Sequence, residues 1–299
     1  MIDEDIVKMY LKAGEIAKRV REEALSKAKP GMKLLDLAIF IENRIKELGG
    51  EPAFPVNLSV NHIAAHYTPV LDDKQILSDN DVLKIDIGVH VNGYIADTAA
   101  TISFNPAYEP LLEASRTALE KALEIIKPGV RANEIGKIIE ETIKSFGYKP
   151  IKNLTGHSMD QYIIHSGYTI PNYYDRFVRW KFQEGAYAIE PFATTGVGMV
   201  KEGNIATIFS LKKVRGRLSD IEKRIIDSIW KTRRMLPFCE RWLTSYSRSI
   251  EGVRNVLKSL IKKKILYVYP ILVERANGLV SQFEHTILIT GKDIIVTTQ

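Results

Sequence analysis

Cysteine is almost absent from this sequence of 299 residues, and long apolar runs are missing altogether. The single cysteine, Cys239, excludes an internal disulfide and a cysteine-rich zinc site, and without a histidine nearby in PFCERW we expect a buried thiol. No stretch approaches the roughly 18 apolar residues that a membrane span needs. The start, MIDEDIVKMYLKAGEIAKRV, is acidic and then amphipathic, unlike a signal peptide, so we expect a cytoplasmic protein with no membrane partner.

Acidic residues are scarce in one segment. The net charge is +6, but residues 211–264 contain 16 Lys plus Arg against 5 Asp plus Glu, so the positive charge is concentrated there. We interpret the basic runs LKKVRGR, KTRR and LIKKK as parts of helical stretches that expose one basic face. Such a face attracts RNA phosphate, whereas charged helices also stay simply solvated or reflect thermal adaptation. Composition leaves both interpretations open.

What the sequence does contain is an internal repeat. KPGMKLLDLAIFIENRIKELG begins at Lys29 and KPGVRANEIGKIIEETIKSFG begins at Lys127, an offset of 98 residues. Each follows a helical pattern and ends at a glycine, Gly49 or Gly147, where a left-handed helix cap fits. The repeat therefore predicts an α/β core of two pseudo-symmetric halves, with two helices in each half.

The stretch VLKIDIGVHVNGYIADTAATISF predicts a β-hairpin that carries two aspartates. The dipeptide Asn92-Gly93 accepts the positive φ angles of a two-residue hairpin turn better than other dipeptides. With that turn, Gly88 faces Asp97, and Asp86 lies diagonal to Asp97 at roughly 7 to 8 Å between backbones. Two acids at this spacing can hold cations between them, or they can be solvated on the wet face of an antiparallel sheet.

The second half repeats the pair of acids in similar surroundings. EGAYAIE ends on Glu190 as NDVLKID ends on an aspartate, and QFEHTILI carries Glu284. The aspartates are 11 residues apart and the glutamates 94, so extra chain must lie between the glutamates. The basic segment falls there, and Ser219 begins the first of its two amphipathic helical patterns. We predict one domain over 1–299 with an inserted basic helical subdomain at 205–266.

Six histidines complete the set of candidate ligands and bases. His157 follows a glycine in a loop-like stretch, His165 lies eight residues later, and His66 follows a predicted strand. The remaining three have weaker contexts, and we expect them to be structural; they are His62, His90 and His285.

In this combination the chain resembles the methionine aminopeptidases of type 2, in their shorter archaeal-like form, over nearly its full length. The family pattern is Asp-x-Gly, a second Asp eleven residues on, Gly-His, Glu-Pro-Phe and Gln-Phe-Glu-His. The matching residues are Asp86 with Gly88, Asp97, Gly156 with His157, Glu190 with Pro191 and Phe192, and Gln282 to His285. Each motif alone is weak, but all five in order are specific. The resemblance implies the pita-bread fold, in which two pseudo-symmetric halves pack helices on a curved antiparallel sheet.

The same resemblance implies a dinuclear metal centre and assigns its ligands. One ion would be held by Asp97, His157, Glu190 and Glu284, and the other by Asp86, Asp97 and Glu284. Independently of the family, four carboxylates in one cleft repel each other strongly unless cations neutralise them. Oxygen ligands with one imidazole suit Mn, Fe, Co or Zn, and the sequence does not choose among these metals.

The activity that the resemblance implies is removal of the N-terminal methionine from nascent proteins when the second residue is small. In the family, Glu190 takes a proton from the attacking water and the α-amine binds on the Asp86 side. His165 would steady the oxyanion and His66 would contact the scissile amide. The alternative for both histidines is packing at a loop.

Phe54, Ile164 and Tyr269 match the methionine pocket of the family, and the alternative is that all three are ordinary core residues. Two other functions stay open. A prolidase or Xaa-Pro aminopeptidase shares the metal ligands but normally has a large N-terminal domain, and a non-catalytic binding protein of the same fold has degraded ligands. The basic insertion suggests weak ribosome association through RNA phosphate. We expect no specific DNA binding, and a monomer, since the duplication already supplies a two-fold core.

Overall fold

The molecule alternates paired helices with antiparallel strands. The structure is a computed structural model that describes residues 2–214, 216–247, 249–291 and 293–299. The helices are α1 (Glu4–Lys27), α2 (Leu34–Glu47), α3 (Glu109–Ile125), α4 (Ala132–Ser145), α5 (Asp220–Arg233) and α6 (Ile250–Lys262), with 3-10 helices at Pro106–Tyr108 and Glu240–Tyr246. The strands are β1 (Glu51–Pro52), β2 (Asn57–Val60), β3 (Ile63–Ala65), β4 (Val82–Val91), β5 (Tyr94–Ser103), β6 (Lys149–Pro150), β7 (Thr155–Met159), β8 (Thr169–Pro171), β9 (Gly185–Ile189), β10 (Phe192–Thr194), β11 (Val200–Leu211), β12 (Phe238–Cys239), β13 (Leu266–Glu274), β14 (Val280–Gln282), β15 (His285–Ile289) and β16 (Ile294–Val296).

The helix pairs repeat as the sequence predicts. Helices α2 and α4 are both 14 residues long, and both are followed at the same distance by a glycine. Those glycines, Gly49 and Gly147, each adopt a φ of 84°. Because glycine has no Cβ, it enters this left-handed region without steric cost. The predicted left-handed caps and the two helices per half are confirmed.

In the first half, α1 and α2 pack on one face of a sheet with the strand order β1-β4-β2, to which β5 is added through β4. Ile85 and Ile87 of β4 are fully buried in this core. Since successive side chains of a strand point to opposite faces, Asp86 between them is directed away from the helices. The period of β4 therefore separates the core of this half from its acidic face.

In the second half, α3 and α4 pack on a five-stranded sheet of order β16-β15-β9-β7-β8. Ile135 and Ile139 of α4 contact the strand face that carries Tyr187 and Ile189. Small sheets complete the molecule, with the orders β14-β10-β6 and β12-β11-β13-β3. The strand pairs described in both halves are antiparallel, which confirms the predicted class of mixed helix and antiparallel sheet.

The two halves join along a seam between β5 and the chain around Glu284. Ala99 and Glu284 exchange backbone hydrogen bonds of 3.3 and 2.9 Å. Thr286 Oγ1 accepts from Asp97 N at 2.7 Å and donates to Asp97 O at 2.8 Å. Thr98 Oγ1 donates to Glu284 O at 2.8 Å across a sequence separation of 186 residues. These bonds bring one acid of each half side by side.

Residues 205–266 contain an apolar cluster of their own. Phe209, Ile225, Leu257 and Leu266 are among its buried members. Helix α5 begins with a capping box, in which Ser219 Oγ accepts from the backbone N–H of N3 at 3.4 Å while the N3 carboxylate accepts from the Ser219 N–H at 2.6 Å. The predicted start at Ser219 and the two predicted helices, α5 and α6, are confirmed.

The basic runs of this segment agree with the prediction in part, since KTRR and LIKKK lie at the ends of α5 and α6. Lys212 and Lys213 follow β11 in irregular chain rather than in a helix, and Arg215 and Arg248 lie outside the described residues. Several other cations form ion pairs with acids of the protein: Arg241 with Glu42, Arg254 with Asp72 and Glu240, and Lys263 with Glu222. The basic surface is thus smaller than the composition indicates, because ion pairs consume part of the excess.

Cys239 lies buried in β12, as predicted for a structural thiol. Burial raises the pKa of this thiol to about 12, which disfavours a nucleophilic thiolate. Among the helices of the described residues, none is both long and apolar enough to cross a bilayer.

Candidate metal centre

The β4–β5 hairpin places the first two acids as its turn chemistry predicts. Asn92 and Gly93 adopt φ angles of 52° and 90°, the positive values of a tight hairpin turn. Gly88 pairs with Asp97 in the β4–β5 register. Asp86, two residues along the same face, is therefore the diagonal neighbour of Asp97. The predicted register is confirmed.

The second pair of acids lies at the adjoining ends of two strands. Glu190 directly follows β9, and Glu284 directly precedes β15. In the β9–β15 register, Ile189 is the partner of His285. Continuing that register by one residue sets Glu190 against Glu284. Both halves thus present two carboxylates on neighbouring antiparallel strands.

His157 lies within strand β7 and not in the loop predicted from the Gly-His dipeptide. It pairs with Ala188 of β9. A Cβ at Gly156 would lie 2.3 Å from the carbonyl oxygen of Ala188, so only glycine fits at this point of strand contact. The glycine that suggested a loop instead permits a close approach of two strands.

The five predicted ligands line one cavity of about 230 Å³. His157 Nε2 lies 3.5 Å from Glu190 Oε1 and 3.7 Å from Asp97 Oδ2. Ligand atoms of Asp97, His157 and Glu284 all lie within 4.8 Å of one another. That spacing lets one ion contact all three side chains.

Burial controls the electrostatics of the cavity. It raises the pKa of Asp86 to about 7, and together with repulsion between neighbouring carboxylates it raises the pKa values of Asp97, Glu190 and Glu284 well above their usual range. Burial also lowers the pKa of His157 well below its ordinary value. The protein alone therefore provides these carboxylates with little counter-charge.

The oxygen atoms of the cavity fit a divalent cation. Asp86 Oδ1, Asp97 Oδ1 and Glu284 Oε1 are buried without a hydrogen-bond partner among the described residues. A buried acceptor without a donor costs about 1–3 kcal/mol, and more when it is charged. Carboxylate oxygens with one imidazole are the ligands of divalent metals, which would satisfy these atoms.

His66 reaches the same cavity from the residue after β3. Its φ of 65° is a strained value for a non-glycine residue. Its Nδ1 lies 3.2 Å from Pro270 O, and because a carbonyl only accepts, Nδ1 carries the proton and Nε2 keeps its lone pair. Burial lowers the pKa of His66 to about 4, so the ring is neutral at pH 7.

His165 lies in the segment between β7 and β8 and also lines the cavity. Its ring is edge-on to that of His157, with 4.4 Å between centroids. Burial lowers the pKa of His165, which favours the neutral ring. The two predicted catalytic histidines are therefore both brought to the predicted metal ligands.

Phe54, Ile164 and Tyr269 form an apolar part of the cavity wall. The Phe54 ring packs over Gly88, where a Cβ would lie 2.2 Å from a ring carbon. The glycine of the Asp-x-Gly motif therefore makes room for Phe54. The motif couples one predicted metal ligand to one predicted pocket residue.

Comparisons with known proteins give the family. Residues 8–291 match the model of metallopeptidase family M24. A methionine aminopeptidase of Methanocaldococcus jannaschii is 49% identical over 289 residues, which cover 97% of this chain and 97% of the relative. A methionine aminopeptidase of Saccharolobus solfataricus is 45% identical over 298 residues, 99% of each chain. The chain belongs to the methionine aminopeptidases of family M24.

Solved structures show that this M24 chain shares the pita-bread fold. The crystal structure of a methionine aminopeptidase from Thermotoga maritima has a TM-score of 0.71 at 22% identity and covers 100% of this chain and 98% of its own. The structure of a thermophilic Arx1 has a TM-score of 0.84 at 17% identity and covers 99% of this chain and 91% of its own. At these identities the likeness shows the fold alone, and it confirms the predicted fold class.

Sequence reasoning missed part of the cavity wall. Ile208 and Pro237 line the cavity although they belong to the segment interpreted only as a basic insertion. Ile208 is the partner of Tyr269 in the β11–β13 pair. Asn57, which also lines the cavity, is the partner of Asp86 in the β2–β4 pair. The registers of these strand pairs would have identified Ile208 and Asn57 as neighbours of predicted site residues, but no short turn fixes those registers.

Proposed function

We propose that this chain is a metal-dependent aminopeptidase that removes the N-terminal methionine from peptides whose second residue is small, acting on newly made chains in the cytoplasm. The observation that carries the proposal is the convergence of four carboxylates and one imidazole on a cavity whose wall includes an apolar pocket. The near full-length similarity to methionine aminopeptidases supports it.

The cavity holds two divalent ions in this proposal, drawn from Mn, Fe, Co and Zn. One ion is bound by Asp97, His157, Glu190 and Glu284, and the other by Asp86, Asp97 and Glu284. The unpartnered oxygens on Asp86, Asp97 and Glu284 support this division. Metal analysis of dialysed protein tests it: we expect about two ions per chain in the wild type and about one in Asp86→Asn. An unchanged content in Asp86→Asn would remove Asp86 from the ligand set.

When bound, a divalent ion polarises a peptide carbonyl and makes water more acidic at neutral pH. Glu190 then accepts a proton from the attacking water and passes it to the departing amine. His66 Nε2, with its free lone pair, accepts the N–H of the scissile amide. His165 donates to the carbonyl oxygen as negative charge develops there. The substrate ammonium binds on the Asp86 side, which restricts cleavage to the first peptide bond.

Selectivity for methionine comes from the wall formed by Phe54, Ile164 and Tyr269. An unbranched thioether side chain suits a narrow apolar pocket and makes favourable contacts with aromatic rings. We expect Phe54→Ala to reduce the preference for methionine over leucine. Equal preference in wild type and variant would show that Phe54 is only a core residue.

We also propose that the chain is of type 2 and that residues 205–266 form its inserted subdomain. The apolar cluster of Phe209, Ile225 and Leu257 within this segment supports a subdomain with its own core. Its position in the chain, between Glu190 and Glu284, supports an insertion between two equivalent acids.

Weak ribosome association through this segment is a further part of the proposal. Lys258, Lys262 and Lys264 are exposed and have no ion pair among the described residues. We expect salt-sensitive co-sedimentation with ribosomes that weakens when these three lysines become Gln. The matched control changes Lys29, Lys33 and Lys127 to Gln. Association that ignores salt, or that falls equally in both variants, would contradict the role of the segment.

One assay separates the main alternatives. Apo-protein is tested on Met-Ala-Ser and on Ala-Pro peptides with and without added Mn²⁺ or Co²⁺. Methionine release that depends on metal supports the aminopeptidase proposed here. Cleavage of Ala-Pro peptides alone would favour a prolidase-like enzyme, and cleavage of neither would favour a binding protein.

A further inference from the structure

A second cleft, of about 720 Å³, lies apart from the metal centre. Helix α2 contributes Glu42 to its wall, the end of β4 contributes His90, and residues 205–266 contribute Arg233, Arg241 and Trp242. The cleft therefore lies where the first half meets this segment. Three of these five residues are cationic or imidazole side chains.

His90 presents a hydrogen-bond donor without an acceptor. Its Nδ1 accepts the backbone N–H of Gly93 at 3.1 Å, so the ring proton is on Nε2. Nε2 is buried and has no hydrogen-bond partner among the described residues. Burial and the nearby Arg233 charge lower the pKa of His90 to about 4, so this ring is a neutral donor at pH 7.

Arg241 presents a second such donor. Its Nη1 donates to Thr68 Oγ1 and Pro69 O, and its Nη2 donates to Glu42 Oε1. Its Nε has no partner within the described ranges, although the side chain is only 4% exposed. The guanidinium is fixed by its other bonds and cannot turn Nε toward solvent without breaking them.

Arg233 adds a third, permanently charged group. Its Nη1 donates to Pro52 O at 2.8 Å, and its guanidinium carbon lies 3.8 Å from the centroid of the Trp242 ring. These contacts hold the guanidinium in place at the boundary between helix α5 and the first half. A fixed guanidinium binds oxyanions better than a mobile one, because less conformational freedom is lost on binding.

The acids of the cleft do not answer these donors. Glu42 accepts from Arg241, from Trp242 Nε1 at 2.8 Å and from Val56 N at 3.3 Å, so both its oxygens are engaged. Glu51 is exposed at the rim. No acid of the cleft therefore supplies an acceptor to His90 Nε2 or Arg241 Nε among the described residues.

We propose that this cleft is an oxyanion-binding site that takes a small molecule carrying a phosphate or carboxylate group. The oxyanion lies beside the Arg233 guanidinium and accepts from His90 Nε2–H, while the Arg241 guanidinium, fixed by its bonds to Thr68, Pro69 and Glu42, forms part of the wall. Since the donors come from both the first half and residues 205–266, the bound molecule also ties these two parts together. Catalysis at the metal centre does not require this site.

The experiment is calorimetric titration of the metal-loaded enzyme, in separate arms, with inorganic phosphate and with citrate at constant ionic strength set by chloride. We expect saturable binding of at least one of them. Binding should weaken roughly tenfold or more in Arg233→Met and in His90→Leu, as expected for loss of a hydrogen bond to a charged group. Arg233→Lys, which keeps the charge, should restore part of the affinity.

Arg224→Met is the matched control, because Arg224 is an exposed cation of the same helix that does not line the cleft. It should bind as the wild type does. Anion binding at the metal centre would survive Arg233→Met and is thereby distinguished. Thermal unfolding without ligand shows whether each variant is folded. The proposal is overturned if neither anion binds, or if folded Arg233→Met and His90→Leu bind as tightly as Arg224→Met.

Discussion

The two halves bring two carboxylates each to the same cavity by different routes. In the first half, Asp86 and Asp97 belong to one hairpin closed by a two-residue turn. In the second half, Glu190 and Glu284 flank paired strands whose connection runs through residues 205–266. The difference shows that the strand pairing, and not the connection, positions the acids. A connection released from that role can change, and here it supplies cavity wall.

With the longer connection, no turn fixes the register of the second pair of acids, and the seam between the halves supplies contacts that do. The hairpin fixes its own register locally, whereas the second pair of acids depends on contacts between residues far apart in sequence. Thr286 holds the backbone of Asp97, and Ala99 holds that of Glu284. Backbone contacts with the first half therefore help to fix the position of Glu284 in the second half.

The largest effect is expected from replacing, in each half, the carboxylate that is proposed to bind both metal ions. Asp97→Asn and Glu284→Gln should both lower kcat/KM by more than roughly 100-fold and reduce bound metal, because each removes a proposed bridging ligand. Metal analysis and peptide hydrolysis measure the two effects. Asp36→Asn, an exposed change on α2, is the control. Full metal content in either cavity variant would break the equivalence of the halves.

The next effect compares the glycines beside the ligands. Gly156→Ala should destabilise the apo-protein by about 3 kcal/mol, since the new Cβ meets the backbone oxygen of Ala188, whereas Gly88→Ala should cost about 1 kcal/mol because the Phe54 ring can shift. Urea unfolding measures both. Gly88→Ala should also raise KM for methionyl peptides. Combining it with Phe54→Leu should reduce its cost, and an unchanged cost would contradict the proposed contact.

Threonines of the seam should give a smaller effect. Thr101 Oγ1 accepts from Gln282 N at 2.8 Å and donates to Gln282 O at 2.7 Å, as Thr286 does with Asp97. Thr101→Val and Thr286→Val should each cost about 1–3 kcal/mol in unfolding free energy. Thr286→Val should in addition weaken metal binding. Thr117→Val on α3 serves as the control. Equal stability of all three variants would show that the hydrogen bonds of the seam do not contribute to the free energy of unfolding.

The smallest effect is expected at the hairpin turn. Asn92→Ala places alanine in the left-handed region, which alanine tolerates less well than asparagine, and should lower the free energy of unfolding by about 1 kcal/mol. Asn92→Gly should cost less. Because the seam also fixes the position of β5, metal content should stay at the wild-type value. A loss of metal as large as in Asp97→Asn would show that the turn alone holds the site.

The sequence predicted what local chemistry determines. Asn92-Gly93 fixed a two-residue turn, and the turn set the register that places Gly88 opposite Asp97. Ser219 and the glycine at 147 marked helix ends through their own capping preferences. In each case a residue acts on neighbours a few positions away, so the signal is contained in a short window.

What the sequence could not predict depends on distant partners. Gly156 looked like a loop residue because its actual constraint, the oxygen of Ala188, lies 32 positions along the chain in another strand. The place of Ile208 in the cavity wall likewise depends on its pairing with Tyr269 in another strand. The position of the Arg233 guanidinium depends on its contact with the Trp242 ring beyond the end of its helix. Charge counting also does not reveal which cations of residues 211–264 are paired with acids of the protein.

The seam has a consequence for the order of events during synthesis. Glu284 bonds to β5 across 186 residues, and every other proposed ligand precedes it in the chain. The proposed metal centre is therefore incomplete until residue 284 has been synthesised and has paired with β5. We therefore expect metal uptake to follow only after translation and folding have passed that point, and products that end before residue 284 to lack activity.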